Sequence, residues 1–390
     1  MRSFEAIVLG LGAMGSAAVY HLAKRGRRVL GIDQFSPPHA FGSSHGDTRI
    51  TRLAIGEGVH YTPLVMRSHE LWRELEREIG ATLLTTNGGL VISSAAKSSV
   101  NHVENFFQNT VDAAVRFRIP HEILDAREIR RRYPPFNVGE DEVAYFEPSA
   151  GFLRPEACVN AHLTIAEERG AEIRRLERVL GFEASDTAVE ITTDRATYAG
   201  EQLIVAVGAW APKFFPPAIT RRLRIFRQTL LWFDIEGDHE RFLPQNFPIF
   251  IWELQGRSQG LYGFPSLDGA AGGIKVGTEQ YAQTTTAETI ERVVGEDEKS
   301  LTYERYIAPF LPLLGRKCVR ATTCLYTVTP DSGFIIDRHP DSERVWLVSP
   351  CSGHGFKHSA AIGEALSALV SGGTTPFDLS AFRVDRLGRT

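Results

Sequence analysis

Three features of the 390-residue chain predict an α/β protein, α+β over its whole length. The N-terminus carries a strand, a glycine-rich turn, a helix and a second strand. A later stretch alternates aromatic and small residues as antiparallel strands do, and buried-strand and helix patterns return after it. A second, antiparallel-sheet domain is therefore expected to be inserted into the first rather than appended to it. At roughly 150 residues per domain the length allows two to three domains and a sizeable core. Hydrophobic residues make up 43% and charged residues 23%, ordinary globular usage that suggests no disordered tract. The net charge of −4 gives no basic footprint for nucleic acid or an anionic membrane, so the expected partner is a small molecule.

Glu5 to Leu9 is an apolar run that reads as a buried strand. It is followed by Gly10-Leu11-Gly12-Ala13-Met14-Gly15 and by a helical stretch from Ser16 to Arg25 that Gly26 closes. Arg28 to Asp33 is a second strand ending in an acid, which completes a βαβ unit of about 30 residues. Segment 62–79 places Leu64, Val65, Leu71, Trp72, Leu75 and Ile79 at helical spacing with charges between them. This predicts an amphipathic helix, on which the Glu70, Glu74, Glu76 and Glu78 run reads as a solvated face. Further helices are expected at 156–169 and 359–371, and short buried strands at 203–207 and 345–348. Between about 216 and 320, runs such as Leu230-Leu231-Trp232-Phe233 and Gly260-Leu261-Tyr262-Gly263-Phe264-Pro265 mark the inserted antiparallel sheet.

Cys158, Cys318, Cys324 and Cys351 stand far apart, with neither a CxxC pair nor metal-ligand spacing. No metal site or disulfide framework is expected, and a reducing compartment fits. The N-terminus enters its first strand without a cleavage-site pattern, and no run approaches the ~20 apolar residues of a membrane helix. A cytoplasmic protein with no membrane partner is the expectation.

Gly10, Gly12 and Gly15 form G-x-G-x-x-G between strand and helix, where backbone amides and the helix dipole can meet a pyrophosphate without side-chain obstruction. Asp33 would accept from a ribose hydroxyl and argues against a 2′-phosphate. The pattern is that of a Rossmann-type dinucleotide site and does not by itself separate FAD from NAD.

Two further clusters carry chemistry-bearing residues. The first is Pro37-Pro38-His39 with Gly42-Ser43-Ser44-His45-Gly46-Asp47-Thr48-Arg49-Ile50-Thr51-Arg52, and the second is Cys351-Ser352-Gly353-His354-Gly355-Phe356-Lys357. At these residues the chain resembles the monomeric sarcosine oxidase and N-methyltryptophan oxidase family of FAD-dependent amine oxidases. The resemblance runs along almost the whole chain, through Gly56-Glu57-Gly58, Phe146-Glu147-Pro148, Gly208-Ala209-Trp210 and Phe334-Ile335-Ile336-Asp337. H-G-D-T-R, C-x-Y-T and S-G-H-G-F-K in that order make it specific. It implies a Rossmann-type FAD-binding domain from segments 1–60, 146–215 and 322–390, with an inserted antiparallel-sheet substrate domain from 61–145 and 216–321. The implied activity is that of an FAD-dependent oxidase, working as a monomer. It would oxidise the C–N bond of a secondary or primary amino acid to an imine and reduce O2 to H2O2. The alternatives are a flavin-dependent amine dehydrogenase with another acceptor, and a non-catalytic flavoprotein.

The resemblance also assigns residues. Cys324 matches the cysteine joined through sulfur to the flavin 8α-methyl, and Arg49 the basic residue beside the isoalloxazine ring. Arg52 and Lys357 match the pair that clamps the substrate carboxylate, Lys275 the lysine associated with oxygen activation, and Tyr262 and Tyr326 aromatic residues of the substrate pocket. Cofactor contacts are expected from Gly10, Gly12, Gly15, Asp33, Ser43, Thr48, Arg49, Val179, Cys324, Gly353, Gly355 and Lys357. The residue types suit these roles. A thiolate can add to an electron-poor methyl, and a nearby cation both lowers a thiol pKa and stabilises negative charge on a reduced ring. An arginine fork and a lysine point charge can hold one carboxylate in one orientation. His45 and His354 lie in glycine-rich loops, where a backbone-bonded structural histidine is as ready a reading as a catalytic one, and neither is assigned a role.

One departure bears on the substrate. After Lys275-Val276-Gly277 the family usually carries an aromatic or basic residue and then a histidine over the flavin, whereas here Thr278 and Glu279 stand in those places. A Glu279 that faces the flavin is expected to pair with a second cationic group on a longer substrate. One step of strand register would turn it to solvent or to a protein cation instead. Ser43-Ser44, where the family often has Ser-His, is a smaller departure in the flavin-binding loop.

Overall fold

The computed structural model describes residues 3–95 and 103–388. Its N-terminal strand β1 (Ser3–Leu9), helix α1 (Ala13–Lys24) and strand β2 (Val29–Ile32) form the expected βαβ unit. Ile7, Val8 and Leu9 are buried, as befits a strand covered on both faces. Glycine is required at two points of the turn between β1 and α1. Gly10 has φ +82°, a backbone conformation that side chains disfavour. At Gly15 an added Cβ would lie 1.7 Å from the Gly10 carbonyl oxygen, so only a bare backbone lets the helix cross so close to the strand.

Around β1 grows a parallel sheet. β1 pairs with β2 on one side and with strand Thr197–Val205 on the other. Strand Glu172–Arg174 pairs with β2, and Ser342–Ser349 with Thr197–Val205, both parallel. Three antiparallel strands, Val179–Ala184, Val189–Thr193 and Ile335–His339, complete eight. Helices Pro155–Glu168 and Ser359–Val370 pack on α1, and all three helices bury small residues where they meet. Gly363 sits against Ala17 so closely that a Cβ would lie 2.6 Å from its backbone.

The amphipathic helix spans Thr62–Ile79 and buries Leu64, Val65, Leu71, Trp72 and Leu75. Arg67 grips Glu364 of the last helix with two hydrogen bonds, 2.9 and 2.7 Å. Its glutamate run is only partly a solvated face. Glu76 accepts the amides of Leu83 and Leu84 at 2.7 and 2.8 Å, and Glu78 accepts from the Tyr20 hydroxyl at 2.8 Å. The chain doubling back into strand Leu84–Thr86 covers that end of the helix, which a periodicity argument cannot anticipate.

The second sheet has eight strands in the order Leu314–Val328, Arg224–Ile235, Ile274–Thr278, Leu261–Gly263, Ile249–Trp252, Gly89–Ser94, Glu142–Glu147 and Glu122–Asp125. It is antiparallel except where Ile249–Trp252 runs parallel to Gly89–Ser94. Behind it lies an aromatic core in which Phe136 stacks on Phe247 at 4.8 Å and meets Phe250 edge-on at 5.0 Å. A three-stranded sheet of Arg49–Thr51, Gly151–Leu153 and Leu84–Thr86 completes the strand inventory of the described residues.

The close crossing of α1 over β1 makes a direct prediction. Gly15→Ala forces the helix off the strand, a clash of the kind that costs about 1–3 kcal/mol in overpacked cores. The expected result is a clear fall in unfolding temperature by differential scanning calorimetry; an unchanged transition would refute the close approach.

Candidate active site

The C-terminal ends of β1 and β2 open into a long cavity that continues to the face of the second sheet. Ligands of open α/β sheets bind at such strand ends. Gly10 and Gly12 form part of its wall, whereas Gly15 lies behind it at the helix crossing. Gly12 is the N-cap of α1 and supplies no side-chain cap; a Cβ there would meet only the Ser44 hydroxyl, at 3.4 Å. Space therefore stands open in front of the first helical turn, where amides and dipole attract an anion. Ser44 itself accepts from the Ala13 amide at 3.1 Å. Asp33 faces the same cavity, its two oxygens fixed by the amides of Leu11 and Phe35 at 2.8 Å each. Val179 lines the wall farther along.

The middle of the cavity is built by the loop after β2. Its Ser43 hydroxyl donates to the Leu325 carbonyl at 2.5 Å, and Arg49 donates to the carbonyls of Ser43 and Thr48 at 2.7 and 2.8 Å. Glu156 accepts the Gly46 amide at 2.5 Å and the Asp47 amide at 3.2 Å. From the second sheet, Lys275 donates to the Gly46 carbonyl at 2.6 Å and to the Thr48 carbonyl and hydroxyl at 2.8 and 3.0 Å. Its ammonium lies 4.5 Å from the Phe264 ring centre. Burial, and then the neighbouring Arg49 charge, hold the Lys275 pKa well below the usual lysine range. Cys324 is buried on strand Leu314–Val328 and faces the cavity; burial raises its thiol pKa while the Arg49 and Lys275 cations pull against that rise.

The remaining predicted residues gather beyond Lys275. Tyr262, Tyr326 and Glu279 line the wall, as do Gly353, Gly355 and Lys357. Gly355 allows a tight return of the chain, since a Cβ would lie 1.6 Å from the Pro350 carbonyl oxygen. Burial raises the pKa of both Tyr262 and Tyr326, so both hydroxyls stay protonated. Lys357 donates to the His354 carbonyl at 2.9 Å and lies 3.6 Å from Glu57. Burial lowers its pKa to about 8, against the raising influence of Glu57.

Arg52 is placed differently from Lys357. Only 1% exposed, it binds Glu57 at 2.8 Å and the Ala54 carbonyl, and it stacks over Phe106 at 4.8 Å. Glu57 and Phe106 line the cavity and Arg52 does not, so the guanidinium stands behind them. His354 contacts the Ser332 carbonyl through Nε2 at 3.1 Å, stacks on Phe334 at 4.6 Å, and turns Nδ1 toward Glu57 at 3.8 Å on the cavity wall. His45 is buried, and desolvation followed by the Arg49 charge lowers its pKa to about 4, which keeps it neutral.

Sequence reasoning gave no role to Glu57, Glu156 or Ser44. Glu57 had one local signal, an acid between two glycines; Glu156 reads from sequence only as an acid in the first turn of its helix. Among the described residues no group of His, Cys, Asp and Glu could hold a metal ion, and no helix is long and apolar enough to cross a membrane.

Residues 5–369 match the family described as FAD dependent oxidoreductase. The chain belongs to the FAD dependent oxidoreductase family. Within it, the chain is 39% identical to a monomeric sarcosine oxidase of Streptomyces avermitilis over 99% of this chain and 98% of that one. It is 39% identical to a monomeric sarcosine oxidase of Bacillus sp. (strain B-0618), covering 98% and 96%. It is 34% identical to an N-methyl-L-tryptophan oxidase of Yersinia pestis (strain Pestoides F), covering 98% and 99%. The fold matches that of NikD, an unusual amino acid oxidase essential for nikkomycin biosynthesis, with a TM-score of 0.83 at 22% identity and 98% coverage of both chains. This FAD-dependent oxidoreductase has a cavity suited to that cofactor. The open Gly12 turn and the Asp33 carboxylate fit a pyrophosphate and a ribose, and the Arg49 and Lys275 cations fit a ring that becomes electron-rich.

The position of Lys357 yields a pH prediction. A lysine with a pKa near 8 is charged below that pH and neutral above it. A small carboxylate without an amine, such as methoxyacetate, should therefore bind the holoenzyme well at pH 7 and progressively more weakly above pH 8. Calorimetric titration at several pH values checks this, with Lys357→Met expected to bind weakly and show no such limb. Wild-type affinity that stays flat to pH 9.5 would disprove the charge assignment.

Proposed function

We propose that this FAD-dependent oxidoreductase is an oxidase of secondary or primary amino acids, converting the C–N bond to an imine with O2 as acceptor and H2O2 as product. The observation that carries the reading is one cavity with a dinucleotide-type glycine turn at one end and a buried lysine, Lys357, among tyrosines at the other. The names of the sarcosine and N-methyl-L-tryptophan oxidase relatives support the substrate class. FAD, held by the residues of this cavity, would supply the acceptor for the two electrons of the carbon–hydrogen bond next to nitrogen, with O2 as the final acceptor.

The chain's own residues do the rest. Lys357 holds the substrate carboxylate through its charge, and Arg52, fixed behind Glu57, adds positive potential to the same spot. Tyr262 and Tyr326 close the pocket around the substrate and exclude water, which strengthens each of these interactions. Arg49 and Lys275, both anchored to backbone carbonyls, place a guanidinium charge and an amine donor beside Cys324, where negative charge would develop on the bound cofactor. Cys324 is the proposed point of covalent attachment through sulfur to the cofactor. In this reading the protein is a monomer of the cytoplasm.

Two measurements test the proposal. Sarcosine and other N-methyl or α-amino acids should give oxygen uptake matched by peroxide; amine oxidation that proceeds only with an artificial acceptor would replace the oxidase by a dehydrogenase. Acid precipitation of the wild type should leave the yellow colour in the pellet, and of Cys324→Ala in the supernatant. A colourless wild-type pellet would sink the covalent bond.

A further inference from the structure

Strand Ile274–Thr278 sends alternate residues to one face, at steps of about 7 Å. Lys275 comes first. Gly277 follows, paired in register with Tyr262, and the Tyr262 phenol lies directly on that glycine: a Cβ there would be 2.5 Å from the hydroxyl. Glu279, one residue past the strand end, continues the series onto the same cavity wall. The Tyr262 ring thus separates the Lys275 cation from the Glu279 carboxylate. Tyr281 donates a hydrogen bond to Glu279 at 3.1 Å, and its own ring packs edge-on against Phe226 at 5.5 Å, which fixes the carboxylate in place. Tyr326 lines the same part of the wall.

A carboxylate framed by tyrosine rings recognises cations, through charge-assisted hydrogen bonds and ring faces. The reacting amine is a poor occupant, because a carboxylate beside it favours the ammonium form and opposes the neutral amine that oxidation requires. A permanent cation on another part of the substrate avoids that conflict. We propose that Glu279 is a specificity-determining residue that receives a distal cationic group, making the preferred substrate a basic amino acid with an ammonium or guanidinium at the end of its side chain. The inference rests on the amino-acid oxidase reading of the cavity, with the substrate carboxylate at Lys357.

The test separates binding from turnover. Holoenzyme is titrated calorimetrically at pH 7 with ω-guanidino carboxylates of three to six carbons, and with plain alkyl carboxylates of the same lengths. These compounds lack an α-amine. One chain length should bind at least about tenfold more tightly with the guanidinium than without it, the advantage of a charge-assisted contact. In Glu279→Gln the two series should bind alike. Glu279→Asp, which withdraws the carboxylate by one methylene, should shift the best length upward by one carbon and keeps the test open where the glutamine variant loses its cofactor. Equal binding of both series by wild type, or an advantage that survives Glu279→Gln, overturns the inference. Peroxide release from any amino acid reports separately on the oxidase reading. Turnover without a guanidinium advantage sinks this inference alone, and an advantage without turnover on any amino acid sinks the oxidase reading alone.

Discussion

The site depends on one buried ammonium. Lys275 is 3% exposed, and an isolated cation at such depth costs several kcal/mol, which is the burial that holds its pKa well below the usual lysine range. Its compensation comes from Gly46 and Thr48, which belong to the loop after β2, while the lysine belongs to the second sheet. Neither part meets the cost alone, so docking of the loop onto the sheet and satisfaction of the charge are a single event. The loop is shaped for it. Gly46 and Asp47 adopt positive φ, 91° and 68°, while the amides of both residues turn to Glu156 and the Gly46 and Thr48 carbonyls turn to Lys275. A side chain at Gly46 would collide with Leu230, 2.6 Å from the added Cβ. The same loop carries Arg49 and Ser43, so the positioning of the cofactor-side cation follows from the placement of the lysine.

The substrate end obeys a different balance. Arg52, Lys357 and Glu57 form a buried group with two cations and one anion, in which Arg52 holds one carboxylate oxygen and Lys357 approaches the other. In the proposed function it is the Lys357 charge that meets an incoming carboxylate. Glu57 opposes the loss of the Lys357 proton that burial favours, and Arg52 works through Glu57 rather than on the cavity surface. Removing one partner of a buried ionic group leaves the rest uncompensated. The arrangement thus couples the charge state of Lys357 to a residue that a substrate need not touch.

Legibility from sequence followed the range of the interaction concerned. The glycine turn was readable because φ and close approach are properties of Gly10 and Gly15 within a few residues, and the helix at 62–79 because its buried stripe repeats every turn. The family motifs placed most candidate residues on one cavity although they span more than 340 positions of chain. What stayed hidden depended on chain paths that no local pattern encodes. The parallel pairing of Ile249–Trp252 with Gly89–Ser94 joins distant segments, and Glu76 gained its amide partners only because the chain folds back over it. Arg52 was matched with Lys357 as a carboxylate clamp, and the turn that sets Glu57 between its guanidinium and the cavity could not be read from those motifs.

The two ends of the cavity also differ in what anchors their side chains. Arg49 and Lys275 are tied to main-chain carbonyls, and Lys275 lies inside a hydrogen-bonded ladder between Trp232 on one side and Phe264 over its ammonium. Exchanging either would leave buried backbone acceptors without donors, a cost borne by the fold itself. Glu279 stands just past the end of strand Ile274–Thr278, where it accepts from the hydroxyl of another side chain, Tyr281. A different residue at that position leaves the ladder and the loop contacts of Lys275 intact. In the proposed function the fold therefore fixes the groups beside the cofactor and leaves position 279, on the substrate side, free to differ, a way for one scaffold to keep its redox chemistry while its substrate changes.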